Sequence, residues 1–180
     1  MLLEHTKIYL RPWKETDAPI LYEYAKNPKI GLQAGWPPHN SIEESQWIIR
    51  ELLTTCGFYA IVKKENDQIV GAINLLIGDA SNFSIEENEG ELGFWIGEPF
   101  WGRGLAKEAI EIMLAYSFME LGLSKIWCGY FSDNRRSMHL QESCGFAYSY
   151  TIEQVHTLLG EDKKEIVMCM TREQYEENYE

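Results

Sequence analysis

A chain of 180 residues with 45% hydrophobic and 24% charged side chains has the make-up of one globular domain, expected to span residues 1–180, and is long enough to bury a full core without staples. Its net charge of −12 argues against nucleic acid or an anionic membrane as the main partner and is compatible with a cationic acceptor such as an amine. No apolar run approaches membrane-span length, MLLEHTKIYL has no secretory pattern, and Cys56, Cys128, Cys144 and Cys169 are scattered without a CxxC pair or clustered histidines; a cytoplasmic protein with free thiols and no metal site is expected.

In chain order, Thr6 to Arg11 alternates as a first strand ended by Pro12, and Thr16 or Asp17 caps a helix to about Lys26 that closes at Asn27-Pro28. Lys29 to Asn40 holds Gly31, Gly35, Pro37 and Pro38 around Trp36 and reads as a loop carrying an exposed aromatic, a kind of segment that lines sites. Ser41-Ile42-Glu43-Glu44 is a capping box opening a helix through Trp47, Ile48 and Leu52 to about Thr55, with Gly57 as its stop. Phe58 to Lys63 and Gln68 to Ile77 pair as a hairpin across Lys64-Glu65-Asn66-Asp67, and the acidic stretch Gly78 to Gly90 reads as an exposed connection.

The next stretch organises the chain. Glu91 to Ile96 has the aromatic and branched content of a buried strand, and Gly93 and Gly97 leave room for another backbone. After Pro99, Trp101-Gly102-Arg103-Gly104-Leu105-Ala106 supplies small residues where a chain turns sharply into a helix. Consecutive N–H groups there point into one concavity, and the positive end of the helix dipole, with Arg103 and Lys107 beside it, favours a diphosphate. The helix reads from Leu105 through Ala109, Ile112, Met113, Tyr116 and Met119 or Glu120 to a stop at Gly122. A P-loop would need Gly-Lys-Ser/Thr where Gly104-Leu105-Ala106 stands, and a dinucleotide fingerprint would need a glycine at Lys107; neither pattern fits. Lys125 to Phe131 is a further strand, placed beside the Glu91 strand by a parallel crossover, so the glycine turn falls where ligands bind in open α/β sheets. Asn134 to Cys144 reads as a short capped helix ended by Gly145; Phe146 to Gln154 and Glu165 to Thr171 form a last hairpin, and Thr171-Arg172-Glu173-Gln174 boxes a C-terminal helix.

Trp101-Gly102-Arg103-Gly104-Leu105-Ala106 resembles the acyl-CoA signature Gln/Arg-x-x-Gly-x-Gly/Ala of the GCN5-related N-acetyltransferases, and Asn134, Ser137, Leu140, Gly145 and Phe146 resemble that family's second signature at the right separation. An aromatic at the first position, Trp101, is a substitution common in the ribosomal-protein N-terminal acetyltransferase (RimJ/RimL-like) branch, which also often carries a segment like Trp36-Pro37-Pro38 near its acceptor site. The resemblance covers nearly the whole chain. It implies an α/β fold with a twisted mixed sheet of about seven strands, parallel strands splayed at the cofactor site, and four or five flanking helices. It further implies acetyl-CoA as donor, an amine acceptor (a protein N-terminus, or a small amine such as an antibiotic or polyamine), and room for a homodimer. In this picture Gly102 to Lys107 hold the coenzyme pyrophosphate, Phe94, Trp95 and Ile96 hydrogen-bond the pantetheine arm as a strand would, and Asn134 and Ser137 contact the coenzyme. A non-catalytic acyl-CoA sensor is the alternative outside enzymes.

Direct attack on a thioester requires a neutral amine. Deprotonation at pH 7 costs roughly 4.6 kcal/mol for a lysine-like amine but only about 1 to 1.4 kcal/mol for an α-amine, so positioning and oxyanion stabilisation carry more of the rate for an N-terminal acceptor. Glu91 is the first candidate for a base acting through water, against a plain solvated strand-end carboxylate. Ser137 is a candidate to protonate the leaving thiolate, His156 is a candidate acid or base from the last hairpin, and Trp36 is a candidate wall of the acceptor pocket.

Overall fold

The computed structural model describes residues 3–179. Its strands are Ile8–Pro12 (β1), Phe58–Lys63 (β2), Ile69–Ile77 (β3), Glu89–Ile96 (β4), Lys125–Phe131 (β5), Ala147–His156 (β6) and Asp162–Thr171 (β7). They form one seven-stranded sheet in the order β1-β2-β3-β4-β5-β7-β6, antiparallel at every step except the parallel pair β4–β5. The α-helices are Ala18–Ala25 (α1), Pro28–Ala34 (α2), Ile42–Ile48 (α3), Leu105–Ala115 (α4), Arg135–Ser143 (α5) and Arg172–Tyr179 (α6).

Alternation along each strand sends neighbouring side chains to opposite faces. On one face Ile61, Ile73, Leu92, Ile126 and Met168 meet Leu105, Ala109, Ile112 and Met113 of α4. On the other, Ala60, Val62 and Ile69 meet Trp13, Ala18, Leu21 and Ile49 from the α1–α3 side. Two cores on one sheet make the layered α/β architecture expected.

Three local expectations are corrected. The stretch from Lys29 is a helix before it is a loop: Asn27 accepts a capping bond from the Lys29 N–H, Pro28 supplies a preset first turn, and Gly35 ends α2 at φ 84°. This adds a sixth α-helix to the four or five anticipated, and Trp36 is half-buried against Trp95 rather than exposed. The connection before β4 is shorter than read, because Glu89 and Gly90 already belong to the strand and are buried.

The long helix changes winding at its end. Tyr116–Glu120 form a π-turn, and the extra residue per turn brings Ser117 and Phe118 inward, leaving Met119 56% exposed where the 3.6-residue period had placed it on the buried face. The C-terminal capping box is complete: Thr171 Oγ1 accepts from the Gln174 N–H while Gln174 Oε1 accepts from the Thr171 N–H.

Candidate active site

β4 and β5 pair only from Glu89 to Leu92 against Lys125 to Cys128. Beyond that, β4 follows β3 to the pair Ile96–Gly71, while β5 follows β7 to the pair Phe131–Glu165. The sheet therefore forks at Gly93 and Gly129. Because the Gly97 N–H donates to Val70 O across the β3 side, alternation turns the main-chain groups of Gly93 and Trp95 toward β3 and those of Phe94 and Ile96 into the fork. The Ile96 carbonyl is taken by the indole N–H of Trp101 at 2.7 Å. Phe94 and the Ile96 N–H thus offer a free strand edge, which is what an amide-bearing arm needs. Trp95 contributes its ring instead, on the face with Trp36 and Tyr24.

At the mouth of the fork, Gly102 and Gly104 adopt φ 74° and 77°, left-handed values that cost a residue with a Cβ about 1–2 kcal/mol. A Cβ at Gly102 would meet nothing within 4 Å, so the turn borders open space. Helix α4 starts at Leu105 and Gly104 brings no capping side chain, so the first-turn N–H groups of Leu105, Ala106 and Lys107 have no partner from capping or from an i−4 carbonyl. Glu108, buried one step further on, would repel an anion here. It is met instead by the Lys7 N–H at 2.8 Å and by Lys7 Nζ at 3.4 Å, which cancels its charge. Arg103 is exposed at the turn.

The second signature lies across the fork. Asn134 caps α5, its Oδ1 accepting from the Ser137 N–H at 3.1 Å. Ser137 Oγ accepts from Gln141 Nε2 at 3.1 Å, and the same amide donates to the Gly129 carbonyl at 3.0 Å. Gln141 is fully buried and ties the serine to the fork residue, leaving the hydroxyl proton of Ser137 to be donated elsewhere. Arg136 stacks on the Trp101 ring at 3.8 Å, joining α5 to the head of the glycine turn. Neither Gln141 nor this stack was legible from spacing alone, since both depend on how α5 docks.

The remaining candidates fall in different places. Glu91 is 8% exposed and receives Ser81 Oγ at 2.7 Å, the Asn82 N–H at 2.6 Å and Asn82 Nδ2 at 3.1 Å; it is not a solvated strand end. His156 sits on the edge strand with its side chain 75% exposed, and its Nδ1 lies 3.0 Å from Asp162 on the same hairpin. Trp36 packs beside His39 and Trp95 on the sheet face opposite α4. Cys144 is buried, and burial pushes its thiol up to about 11, so it carries no nucleophile.

Glu165 is the acidic residue that the sequence reading passed over. Its carboxylate lies across Gly129, where a Cβ would collide with it. Burial first, and then the charge of Glu91, raise its pKa to about 7. The signal was there: a lone acid at the head of the apolar run Ile166 to Met170.

Residues 7–147 match the family model described as acetyltransferase (GNAT) domain. The chain is 25% identical over 145 residues to "Uncharacterized N-acetyltransferase p20" of Bacillus licheniformis, covering 78% of this chain and 79% of that one. The fold is that of an acetyltransferase (GNAT family) from Bacillus anthracis, with a TM-score of 0.84 at 17% identity over 96% of this chain and 99% of that one. It is also that of the spermidine N-acetyltransferase from Vibrio cholerae, solved in complex with CoA and spermine, with a TM-score of 0.77 at 20% identity over 95% and 99%.

Proposed function

The chain belongs to the acetyltransferase (GNAT) domain family and is an acetyl-CoA-dependent N-acetyltransferase, and from that premise we propose that its acceptor is the α-amine of a protein N-terminus. The observation that carries this reading is Trp101. The aromatic that stands at the head of the signature, as in the RimJ/RimL-like branch, is tied to the Ile96 carbonyl and stacked under Arg136, so it is part of the fork. In this reading the glycine turn and the first turn of α4 hold the diphosphate of the donor, and Phe94 with the Ile96 N–H aligns its amide arm. Gln141 orients Ser137 so that its hydroxyl faces the departing sulfur. Direct attack by the amine then needs little more than alignment, because an α-amine is already partly neutral at pH 7.

A second reading, a small polyamine as acceptor, draws support from the two carboxylates at the fork, Glu91 and Glu165, and from the likeness to the spermidine enzyme. Thiol release from acetyl-CoA, measured with peptides bearing free N-termini, N-blocked lysine peptides and spermidine, tests both. Preferred turnover of the free N-termini is expected. Faster turnover of spermidine would favour the second reading, and coenzyme binding without turnover of any amine would make the protein a sensor.

A further inference from the structure

We propose that Glu165 is the proton acceptor for the incoming amine, within an acceptor site built at the fork on the sheet face opposite α4; the proposal rests on the N-acetyltransferase reading. Side-chain alternation places Glu91, Gly93 and Trp95 of β4, Trp127 and Gly129 of β5, and Glu165 of β7 on that face. The two residues at which the strands part are both glycines, and each lies under a polar side chain reaching over from the neighbouring strand. Asn74 Oδ1 from β3 would be 2.7 Å from a Cβ at Gly93, and Glu165 Oε1 from β7 would overlap one at Gly129. The missing side chains make room for an amide and a carboxylate beside the opening through which a thioester in the fork would face this side of the sheet.

The two acids differ in what they can do. Glu91 has its oxygens engaged by three donor groups from Ser81 and Asn82, so it supplies fixed negative charge. Glu165 has no hydrogen-bond donor or cation paired with its carboxylate among the described residues, and the Phe83 ring flanks it over Gly129. A carboxylate short of donors and beside an apolar ring is basic, and a nearby fixed charge makes it more so. The titratable groups facing it on this side of the sheet are Glu91 from β4 and Tyr150 from β6, while Cys128 of β5 points to the α4 side; Tyr150 and Cys128 are both held protonated at neutral pH, by burial first and then by these acids among other groups. Tyr150 and Trp127 meet edge to face at 6.0 Å and give the site aromatic surface next to negative charge, a setting that attracts an alkylammonium.

The step balances as follows. The ammonium gives one proton to Glu165, and the freed lone pair forms the C–N bond at the thioester carbonyl. The C–S bond breaks with its electron pair on sulfur, the second nitrogen proton ends on that sulfur as the free thiol, and Glu165 returns its proton to water.

The test is Glu165→Gln in the whole chain, with acetyl transfer to a free N-terminal peptide and to spermidine followed from pH 5.5 to 9. Binding of coenzyme A, and of each amine to the coenzyme-loaded protein, is measured by calorimetry. A loss in kcat/KM at pH 7 of about 5- to 10-fold is expected for the N-terminal peptide and of about 100-fold or more for spermidine, with the rising limb near pH 7 removed and coenzyme A affinity unchanged. An active enzyme whose rate and pH profile ignore the substitution overturns the role of Glu165 and leaves the acetyl-transfer reading standing. A fall in activity matched by an equal fall in coenzyme A affinity also overturns it. An inactive wild type whose amine binding nonetheless depends on Glu165 refutes the acetyl-transfer reading and keeps the amine site.

Discussion

Placing a carboxylate in the glycine turn, by Gly104→Glu, separates the anion site from the fold that carries it. The folded chain can accommodate the side chain, since a Cβ at Gly104 would meet only Lys7 Nζ, at 3.8 Å. The backbone cost is that of a left-handed residue, about 1–2 kcal/mol, which in a domain of this size lowers Tm by roughly 2–8 °C. The effect on binding is larger. A carboxylate about 6 Å from a doubly charged diphosphate is repelled by about 1.4 kcal/mol at the dielectric of bulk water and by about 5.5 kcal/mol at the value typical near a protein surface. Coenzyme A affinity should therefore fall at least tenfold. Gly104→Ala has the same backbone strain without the charge and should keep most of the affinity, so the difference between the two variants isolates electrostatics. Calorimetric titration with coenzyme A, alongside a melting curve for each variant, measures both terms. A folded Gly104→Glu protein that binds coenzyme A within twofold of the wild type would refute the placement of the diphosphate at α4.

Three further outcomes follow from side-chain environments. Glu165 has a folded pKa near 7 against an ordinary carboxyl value of 4.5, raised by burial and by Glu91, so the stability linked to its protonated form is complete below about pH 4.5 and lost as pH rises through 7. Glu165→Gln should accordingly gain on the order of 1–3 kcal/mol over wild type in urea unfolding at pH 8 and nothing near pH 4.5; an equal difference at both pH values would exclude the linkage. Alkylation with iodoacetamide at pH 8 should label exposed Cys56 in the native protein and spare buried Cys128 and Cys144 until denaturant is added, as read by intact mass and peptide mapping. Thr171→Ala removes one half of the α6 capping box and should cost about 1 kcal/mol in urea unfolding while leaving acetyl transfer unchanged.

Much of the architecture was readable from local pattern. The period-2 runs at Phe58 and Ile69, the paired glycines before Leu105, the Ser41 cap and the capping box at Thr171 are contacts between near neighbours, so sequence spacing encodes them directly. The box expected at Ser41 is only half made, because the Glu44 carboxylate takes the Asn40 N–H instead of that of Ser41. The loop assigned around Trp36 failed because Gly31 was taken as a breaker. It sits instead inside α2, buried so closely under Trp36 that no side chain would fit.

The sequence by itself determined the strand, turn and helix that build the anion cradle, because left-handed glycines and a helix start are properties of consecutive residues. Only the tertiary structure decided which acids stand at the fork. Glu91, Asn74 and Glu165 come from three strands whose meeting depends on sheet order and register, and the basicity of Glu165 arises from burial and from the charge of Glu91, a residue 74 positions earlier in the chain (165 − 91). Burial and charge repulsion act through space, and no linear spacing records them.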